Sequence, residues 1–249
     1  MQAVEQLAIL VVGLAAGSLY GAFGAGGAAF ATPVLALAGV PAAFAVASPL
    51  PAMVPAALVS ARSHLREGTL DRRVATLGVA GGLPGTLVGG LLSSWVDAHV
   101  LLVLSAVLLL GVGLRVLLPD PAGHATRCDE RRARPEVVVS LAAIIGLLTG
   151  LLANGGGFLL VPTFVVVLGL TTAMAAGTSM VVAGFLSLPT LAIHWSLGHV
   201  DWAVAALFAV GVVPGLLAGR RVAERLPTHV ARRALGVLLV GFAAWFLLR

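Results

Sequence analysis

The sequence predicts an all-α polytopic membrane protein made of two inverted repeats of five hydrophobic segments each. Of its 249 residues, 59% are hydrophobic and only 10% are charged, whereas about a quarter of the residues in a soluble domain are charged. The second half of the chain repeats the first about 130 residues later, and the two copies carry their arginines in opposite loops. A duplicated apolar unit with reversed loop charge is typical of an inverted-repeat membrane transporter.

Identical residues at a constant spacing define the repeat. Nine residues of the first half recur 130 positions later: His64, Gly68, Asp71, Gly81, Pro84, Gly85, Gly89, His99 and Gly111. Nearer the start of each half the spacing is 129, as between Gly17 and Gly146. We therefore predict a first repeat over 1–118, a cytoplasmic linker over 119–135 and a second repeat over 136–249.

Each repeat contains five apolar segments, of which the second is short. The segments are predicted at 7–22, 28–39, 42–61, 74–95 and 98–118, and at 137–153, 157–169, 172–196, 202–219 and 230–248. At 1.5 Å per residue, segments 28–39 and 157–169 rise only about 18–20 Å, which is less than a hydrocarbon core of ~30 Å. We predict half-helices or tilted short spans there, which either both cross the membrane or both turn back.

The arginines predict the orientation of the chain. Of the 15 basic residues, 14 lie in three clusters, at 62–73, 115–134 and 220–233, and by the positive-inside rule all three face the cytoplasm. The loops equivalent to the first and third clusters, 192–203 and 93–100, contain none. Equivalent loops are therefore predicted on opposite sides of the inner (plasma) membrane, with both chain termini outside.

The densest glycine signals of the chain precede the two short segments. They comprise Gly24, Gly26 and Gly27 in the first half and Asn154, Gly155, Gly156 and Gly157 in the second. A helix that starts at such a break points unpaired N–H groups and a partial positive charge at whatever lies ahead. Two such starts near the midplane would bind a small oxyanion without a buried arginine. The alternative is close helix packing, which small residues also allow.

The third segments contain a second matched feature, a hydroxyl group beside helix-breaking residues. Ser48 lies next to a proline in the first half, and Thr178 and Ser179 occupy the matching stretch of the second. Proline inside a span removes a helix hydrogen bond, and a nearby hydroxyl can then donate to a freed carbonyl or to a ligand. These three hydroxyls are candidate substrate donors. The alternative is that each bonds back to its own helix.

Titratable groups are rare in the predicted spans, because the acidic residues fall in loops, in the linker or at segment ends. The remaining candidates for proton-linked chemistry are His64 and His194, which occupy equivalent positions. Histidine titrates near physiological pH, although an interfacial histidine also serves as a helix-end anchor. The histidines are scattered singly and Cys128 is the only cysteine. We therefore expect no metal site and no cofactor.

The motifs of both halves resemble the TauE/SafE sulfite-exporter family of membrane permeases. In the first half the resemblance rests on the following residues: Gly17, Gly21, Gly24, Gly26, Gly27, Thr32, Pro33, Ala47, Ser48 and the run from Arg66 to Asp71. In the second half it rests on these: Gly146, Gly150, the run from Asn154 to Phe158, Val161, Pro162, Gly177, Thr178, Ser179, His194, Gly198, Asp201 and Trp202. The resemblance implies passage of small sulfur-containing or organic anions such as sulfite and sulfonates, often outward.

Two positions depart from the family's pattern. Ala28 stands where the glycine run usually continues, and Pro49 occupies the place that Ser179 holds in the second half. We therefore expect the first half of the site to be narrower or less polar than the second.

The sequence favours a permease that moves a small anion across the inner membrane by alternating access, as an exporter. An anion-selective channel is the nearest alternative, because a pore could use the same helix starts. A non-transporting membrane scaffold is a second alternative. We do not expect an enzyme, since no paired nucleophile and base stands within a predicted span. The expected partners are the anion and the lipid bilayer; nucleic acid is not expected, because the arginines lie beside apolar segments.

Overall fold

The computed structural model describes residues 3–23, 39–93, 134–152, 157–198 and 200–225, with isolated positions at 31, 35, 95, between 103 and 118 and between 230 and 244. Eight helices lie within these residues: α1 Ala3–Phe23, α2 Ala42–Ala47, α3 Leu50–Arg66, α4 Arg72–Ser93, α5 Pro135–Leu152, α6 Gly157–Val166, α7 Thr172–Ser196 and α8 Trp202–Arg225. The described residues contain no strand.

Five helices are long and apolar enough to cross a membrane, namely those at Glu5–Ala22, Arg72–Ser93, Pro135–Leu152, Ala173–Ser196 and Trp202–Val222. The prediction of an all-helical polytopic membrane protein is therefore confirmed. Most of the predicted segments 28–39, 98–118 and 230–248 lies outside the described residues. The division into two repeats of five segments consequently remains a prediction.

The third segment of the first half is not the single run predicted at 42–61. It consists of α2 and α3, joined through Ser48 and Pro49, and α3 continues to Arg66. Both linking residues have helical dihedral angles, so the chain keeps its direction although Pro49 lacks an N–H donor. The extension beyond 61 has a physical reason, since arginine at a helix end can reach water.

Matching residues set the boundaries of equivalent helices. Gly68 follows α3 with φ +68° and Gly198 follows α7 with φ +71°, a conformation that glycine adopts without steric cost. Asp71 and Asp201 then begin the next helices, where their Oδ1 atoms accept hydrogen bonds from Val74 N at 3.0 Å and from backbone amides of α8. Acidic side chains are good N-caps because they pair with otherwise unsatisfied amides.

Glycines bring α1 against α8 and α4 against α5 at backbone distance. Three glycines of α1 face α8 in the same order along both helices: Gly13 meets Phe208, Gly17 meets Val212 and Gly21 meets Leu216. Equivalent residues pair α5 with α4, since Gly146 meets Gly82 and Gly150 meets Thr86. A Cβ at any of these glycines would fall on a facing carbonyl oxygen, so only glycine permits this approach. Both pairs of helices are parallel.

Helices α3 and α7 are antiparallel neighbours. Gly177, near the start of α7, faces the ring of His64 near the end of α3, and Gly184 faces Ala57 about two turns further along α7. The start of α7 therefore lies at the same end of the bundle as the loop from Glu67 to Asp71.

The contacts fix the relative directions of the described helices. We call the two ends of the bundle the Glu67 end, where α3 ends and α4 and α7 begin, and the Asp201 end, where α7 ends and α8 begins. Arg220 of α8 forms an ion pair with Glu67, so α8 and its parallel partner α1 run toward the Glu67 end. Helices α4 and α5 run away from it. Equivalent helices of the two halves (α1 and α5, α3 and α7, α4 and α8) thus run in opposite directions.

Candidate functional site

The predicted glycine-rich breaks fall almost entirely outside the described residues. This applies to Gly24, Gly26 and Gly27 and to Asn154, Gly155 and Gly156. Gly157 is described as the first residue of α6. Helix α6 is thus described from the residue that follows the second break, and the anion site remains a prediction.

Helix α6 is short, and four of its residues are buried. Its ten residues rise about 15 Å, half of a ~30 Å core. Leu159, Leu160, Val161 and Phe164 are all buried. A five-residue connection joins α6 to α7 at the Glu67 end, and a rise of about 15 Å from that end would put Gly157 roughly half-way across the bundle. The N-terminus of a helix at this depth presents unpaired backbone N–H groups in the protein interior.

Two of the candidate hydroxyls hold the halves of the chain together. Ser48 Oγ accepts a hydrogen bond of 3.2 Å from the backbone amide of Asp201, and Thr178 Oγ1 accepts one of 3.1 Å from the amide of Asp71. Ser48 is equivalent to Thr178 and Asp71 to Asp201 at the spacing of 130. Each half therefore supplies the hydroxyl for the helix cap of the other.

Ser48 and Thr178 do not converge on one point. Thr178 lies at the Glu67 end beside His64, while Ser48 precedes His64 by 16 positions of helical chain, a rise of roughly 24 Å. Both hydroxyls are fully buried. Accepting a hydrogen bond uses a lone pair and leaves the hydroxyl's own proton for donation. The third-segment hydroxyls thus occupy two sites at opposite ends of the bundle.

Ser179 lies next to Thr178 and makes a different bond. Its hydroxyl donates to the carbonyl of Ala176 at 3.1 Å, within its own helix. This is the local bonding that a hydroxyl in a membrane helix commonly adopts. In this conformation the Ser179 proton is therefore engaged within α7.

His64 lies in the last turn of α3, outside the predicted span 42–61. Its Nδ1 is 2.7 Å from Thr69 Oγ1 in the following loop, and its ring packs against Gly177. Burial lowers the pKa of His64, and the positive charge of Arg220 lowers it further. The neutral imidazole is favoured in this environment because both causes penalise the charged ring.

The ion pair between Glu67 and Arg220 was not predicted from the sequence, although a signal for it exists. Both residues fall in loops that the arginine clusters assign to the cytoplasm, and their charges are opposite. The equivalent positions at the other end are Leu197 and Gly90, which cannot form an ion pair. The two ends of the bundle therefore share the hydroxyl-to-cap contact and differ in charge.

Aromatic residues mark the Asp201 end. The rings of Trp195 and Trp202 meet edge to face, with centroids 5.6 Å apart, and both side chains are at least half exposed. Tryptophan is enriched where a membrane surface meets water. His194 is half-buried in the adjacent turn of α7. The structure therefore places His194 at the Asp201 end of the bundle and His64 at the Glu67 end.

The described residues contain no cluster of three or more histidine, cysteine, aspartate or glutamate side chains that could hold a metal ion. The available chemistry is hydrogen bonding by hydroxyls and backbone amides, with charge concentrated at the Glu67 end.

These apolar helices belong to a polytopic membrane protein with polar contacts between its halves. The family model described as sulfite exporter TauE/SafE matches residues 9–246, and the chain belongs to this family of membrane transporters. The resemblance inferred from the motifs is confirmed.

Curated relatives carry names of the same kind. A probable membrane transporter protein of Xylella fastidiosa strain Temecula1 is 28% identical over 253 residues, which cover 96% of this chain and 95% of that protein. The probable membrane transporter protein YjnA of Bacillus subtilis is 24% identical over 233 residues, covering 88% of this chain and 91% of that protein. No solved structure matches the chain.

Proposed function

We propose that this protein is an inner-membrane permease that moves small sulfur-containing or organic anions, such as sulfite or sulfonates, out of the cytoplasm. The observation that supports the proposal most directly is the short helix α6, which is described from Gly157 and is buried at Leu159 and Leu160, so that its N-terminus would lie inside an apolar bundle. Such a terminus attracts an anion through backbone N–H groups and the helix dipole.

The proposed substrate site combines this helix start with the glycine-rich break of the first half. Asn154, Gly155 and Gly156 would continue the site from Gly157, and Gly24, Gly26 and Gly27 would form its counterpart. Amides donate hydrogen bonds to an oxyanion without carrying a full charge. Binding can then be specific for anions and still weak enough for release.

We propose alternating access for an architecture of two inverted repeats, ten segments in all. Support comes from the opposite directions of equivalent helices and from the exchanged contacts of Ser48 and Thr178. If each end opens in turn, the hydroxyl-to-cap contact at the open end breaks while its counterpart holds. The released hydroxyl can donate to the passing anion, and Ser179 can do so after leaving Ala176. All three hydroxyls are therefore proposed to donate hydrogen bonds to the substrate during transport.

The distribution of charge between the ends fits export from the cytoplasm. Arginines at the Glu67 end assign it to the cytoplasm, where they also raise the local concentration of anions. The Asp201 end contains only neutral groups at the positions equivalent to Glu67 and Arg220. An anion therefore meets a positive surface inside and a less attractive exit outside.

Counterflow in proteoliposomes tests the proposal. Purified protein would be reconstituted with a high internal concentration of unlabelled methanesulfonate, and entry of a labelled trace would be followed. A permease gives saturable uptake with a transient overshoot, because exchange uses the loaded carrier. Flux without saturation or overshoot indicates an anion channel. Failure of sulfite, thiosulfate, sulfate, methanesulfonate and acetate either to move or to raise the melting temperature would reject the proposal and favour the scaffold.

A further inference from the structure

Tyr20 is the only tyrosine of the chain, and its buried hydroxyl forms no hydrogen bond with any residue that the structure describes. The side chain is 2% exposed, on the face of α1 that also buries Ile9, Val12 and Ala16. Burial of a hydroxyl without a partner is unfavourable, because bonds to water are lost and not replaced. Phenylalanine would fill the same space without this cost. Packing therefore accounts for the ring of Tyr20 but not for its hydroxyl.

The equivalent residue of the second half has no such unsatisfied group. At the local spacing of 129, Tyr20 corresponds to Thr149, which is also buried. Thr149 Oγ1 donates to the carbonyl of Ile145 in its own helix at 2.7 Å. A threonine hydroxyl reaches that carbonyl, whereas the para hydroxyl of tyrosine extends beyond it. Of these two equivalent residues, only Tyr20 has an unpaired hydroxyl.

The position of Tyr20 relates it to the proposed path of the anion. Its neighbour Gly21 packs on the backbone of Leu216 and Arg220 in α8, so Tyr20 lies toward the Glu67 end. Helical side chains lean toward the N-terminus of their helix, which directs this one back toward the middle of the membrane. The glycine-rich break begins at Gly24, four residues later in the sequence.

We infer that the Tyr20 hydroxyl binds the transported oxyanion, as a specificity-determining donor between the Glu67 end and the middle of the membrane. This inference rests on the proposed function as an anion permease. A phenol is neutral at physiological pH and donates one hydrogen bond. An anionic oxygen on sulfur is a strong acceptor, and hydrogen bonds to ionised groups are shorter and stronger than neutral ones. Ligand binding satisfies the donor that the empty protein leaves unpaired.

The substitution Tyr20→Phe tests this inference, because it removes only the hydroxyl. Thr149→Val is the matched control, since it removes the equivalent hydroxyl, whose bond lies within its own helix. For each protein, the melting temperature would be measured without ligand and against increasing sulfite and methanesulfonate, and uptake kinetics would be measured in proteoliposomes. We expect Tyr20→Phe to weaken the affinity for these anions by roughly 10- to 100-fold, the range for a hydrogen bond to a charged group. Thr149→Val should leave it within about twofold.

The ligand-free proteins distinguish ligand binding from a structural role. We expect the melting temperature of Tyr20→Phe without anion to equal or exceed that of the wild type, because an unpaired donor has been removed. A lower value would show that the hydroxyl has a structural partner and would overturn the inference. Unchanged anion affinity in Tyr20→Phe would also overturn it, with water then the partner of the hydroxyl. If wild-type protein responds to neither probe, the proposed function itself fails, which is a separate result.

Discussion

Ser48 in the first half of the chain holds the start of α8 in the second half, through a hydrogen bond from the amide of Asp201 to its hydroxyl oxygen. The equivalent pair makes the same bond with the halves exchanged, because the amide of Asp71 in the first half donates to the hydroxyl oxygen of Thr178 in the second. Each aspartate also caps the helix that follows it. Both hydrogen bonds therefore join a helix cap in one half to a hydroxyl in the third segment of the other half. Movement of one half against the other must therefore strain or break these bonds.

Replacing Ser48 and replacing Thr178 should favour opening of the bundle at opposite ends. Ser48→Ala removes the contact at the Asp201 end and Thr178→Ala removes the one at the Glu67 end. Each change should cost about 0.5–1.5 kcal/mol of stability, the usual net value of a hydrogen bond. Ser48→Ala should favour opening at the Asp201 end and Thr178→Ala opening at the Glu67 end. Labelling of introduced cysteines by an impermeant maleimide, applied from each side in turn, measures the two openings.

Ser187→Ala provides the control for this pair. Its hydroxyl is buried in α7 and donates to Gly184 of the same helix at 2.7 Å, so its loss should not alter access from either side. Equal labelling patterns in Ser48→Ala and Thr178→Ala would contradict the assignment of these contacts to opposite gates.

Loss of the ion pair between Glu67 and Arg220 should reduce transport much more than it reduces the stability of the fold. Glu67 is 46% exposed at its side chain and Arg220 is 19% exposed, so breaking the pair should lower stability by no more than about 1 kcal/mol. Glu67→Arg and Arg220→Glu should each open the Glu67 end and reduce maximal transport several-fold. The double exchange restores the attraction and should recover most of the rate. A double variant as slow as the worse single variant would argue against a direct pair.

Much of this arrangement could be predicted from the sequence, because it depends on local or additive signals. Apolar length predicted α1, α4, α5, α7 and α8 to within a few residues at most of their ends, and two of the arginine clusters meet at one end of the bundle, where Arg220 pairs with Glu67. The repeat also identified Ser48 and Thr178 as equivalent. It did not reveal that their contacts are exchanged, because that depends on how the halves pack. The sequence did not predict a role for Tyr20 either, since an aromatic residue in an apolar run has no distinctive pattern.

The orientation in the membrane provides an independent prediction. Accessibility labelling should place loops 62–73, 119–135 and 220–233 inside and loops 93–100 and 196–201 outside, because arginine-rich loops remain in the cytoplasm. Joint labelling of 62–73 and 220–233 is further expected from the ion pair that joins them. Labelling of 62–73 and 192–203 from the same side would contradict the inverted repeat.

Two groups of glycines should respond differently to substitution. Valine at Gly17 or Gly146 would fall on the backbone of a facing helix and should prevent accumulation of folded protein, because backbone in a parallel helix pair cannot yield as a side chain can. Valine at Gly27 or Gly156 should instead abolish transport in folded protein by blocking approach of the anion to backbone amides. Gly241→Ala is the control, since its added Cβ meets no described atom within 4 Å outside its own stretch of chain. Normal transport by both Gly27→Val and Gly156→Val would show that these glycines only ease packing.

The two histidines should differ in how they respond to acid. Burial and Arg220 lower the pKa of His64 from its ordinary value of 6.5. Between that value and the lower folded one, the unfolded chain binds a proton that the folded protein does not. The free energy of unfolding therefore rises with pH in this window and falls as the pH drops through it. His64→Gln should remove this part of the acid sensitivity, visible as a flatter plot of melting temperature against pH below about 6.5.

Transport measurements complete the comparison, with a permanently ionised sulfonate because sulfite itself titrates in the same range. We expect His194→Gln to fold and to move sulfonate in liposomes with little change in its pH profile, since His194 lies beside the tryptophans of the Asp201 end as an interfacial residue. A histidine that carried the coupled proton would behave differently, because its replacement would eliminate proton movement driven by sulfonate and leave sulfonate binding intact. That outcome in His194→Gln would make this side chain the proton carrier of the second half, and the same outcome in His64→Gln would assign coupling to the Glu67 end.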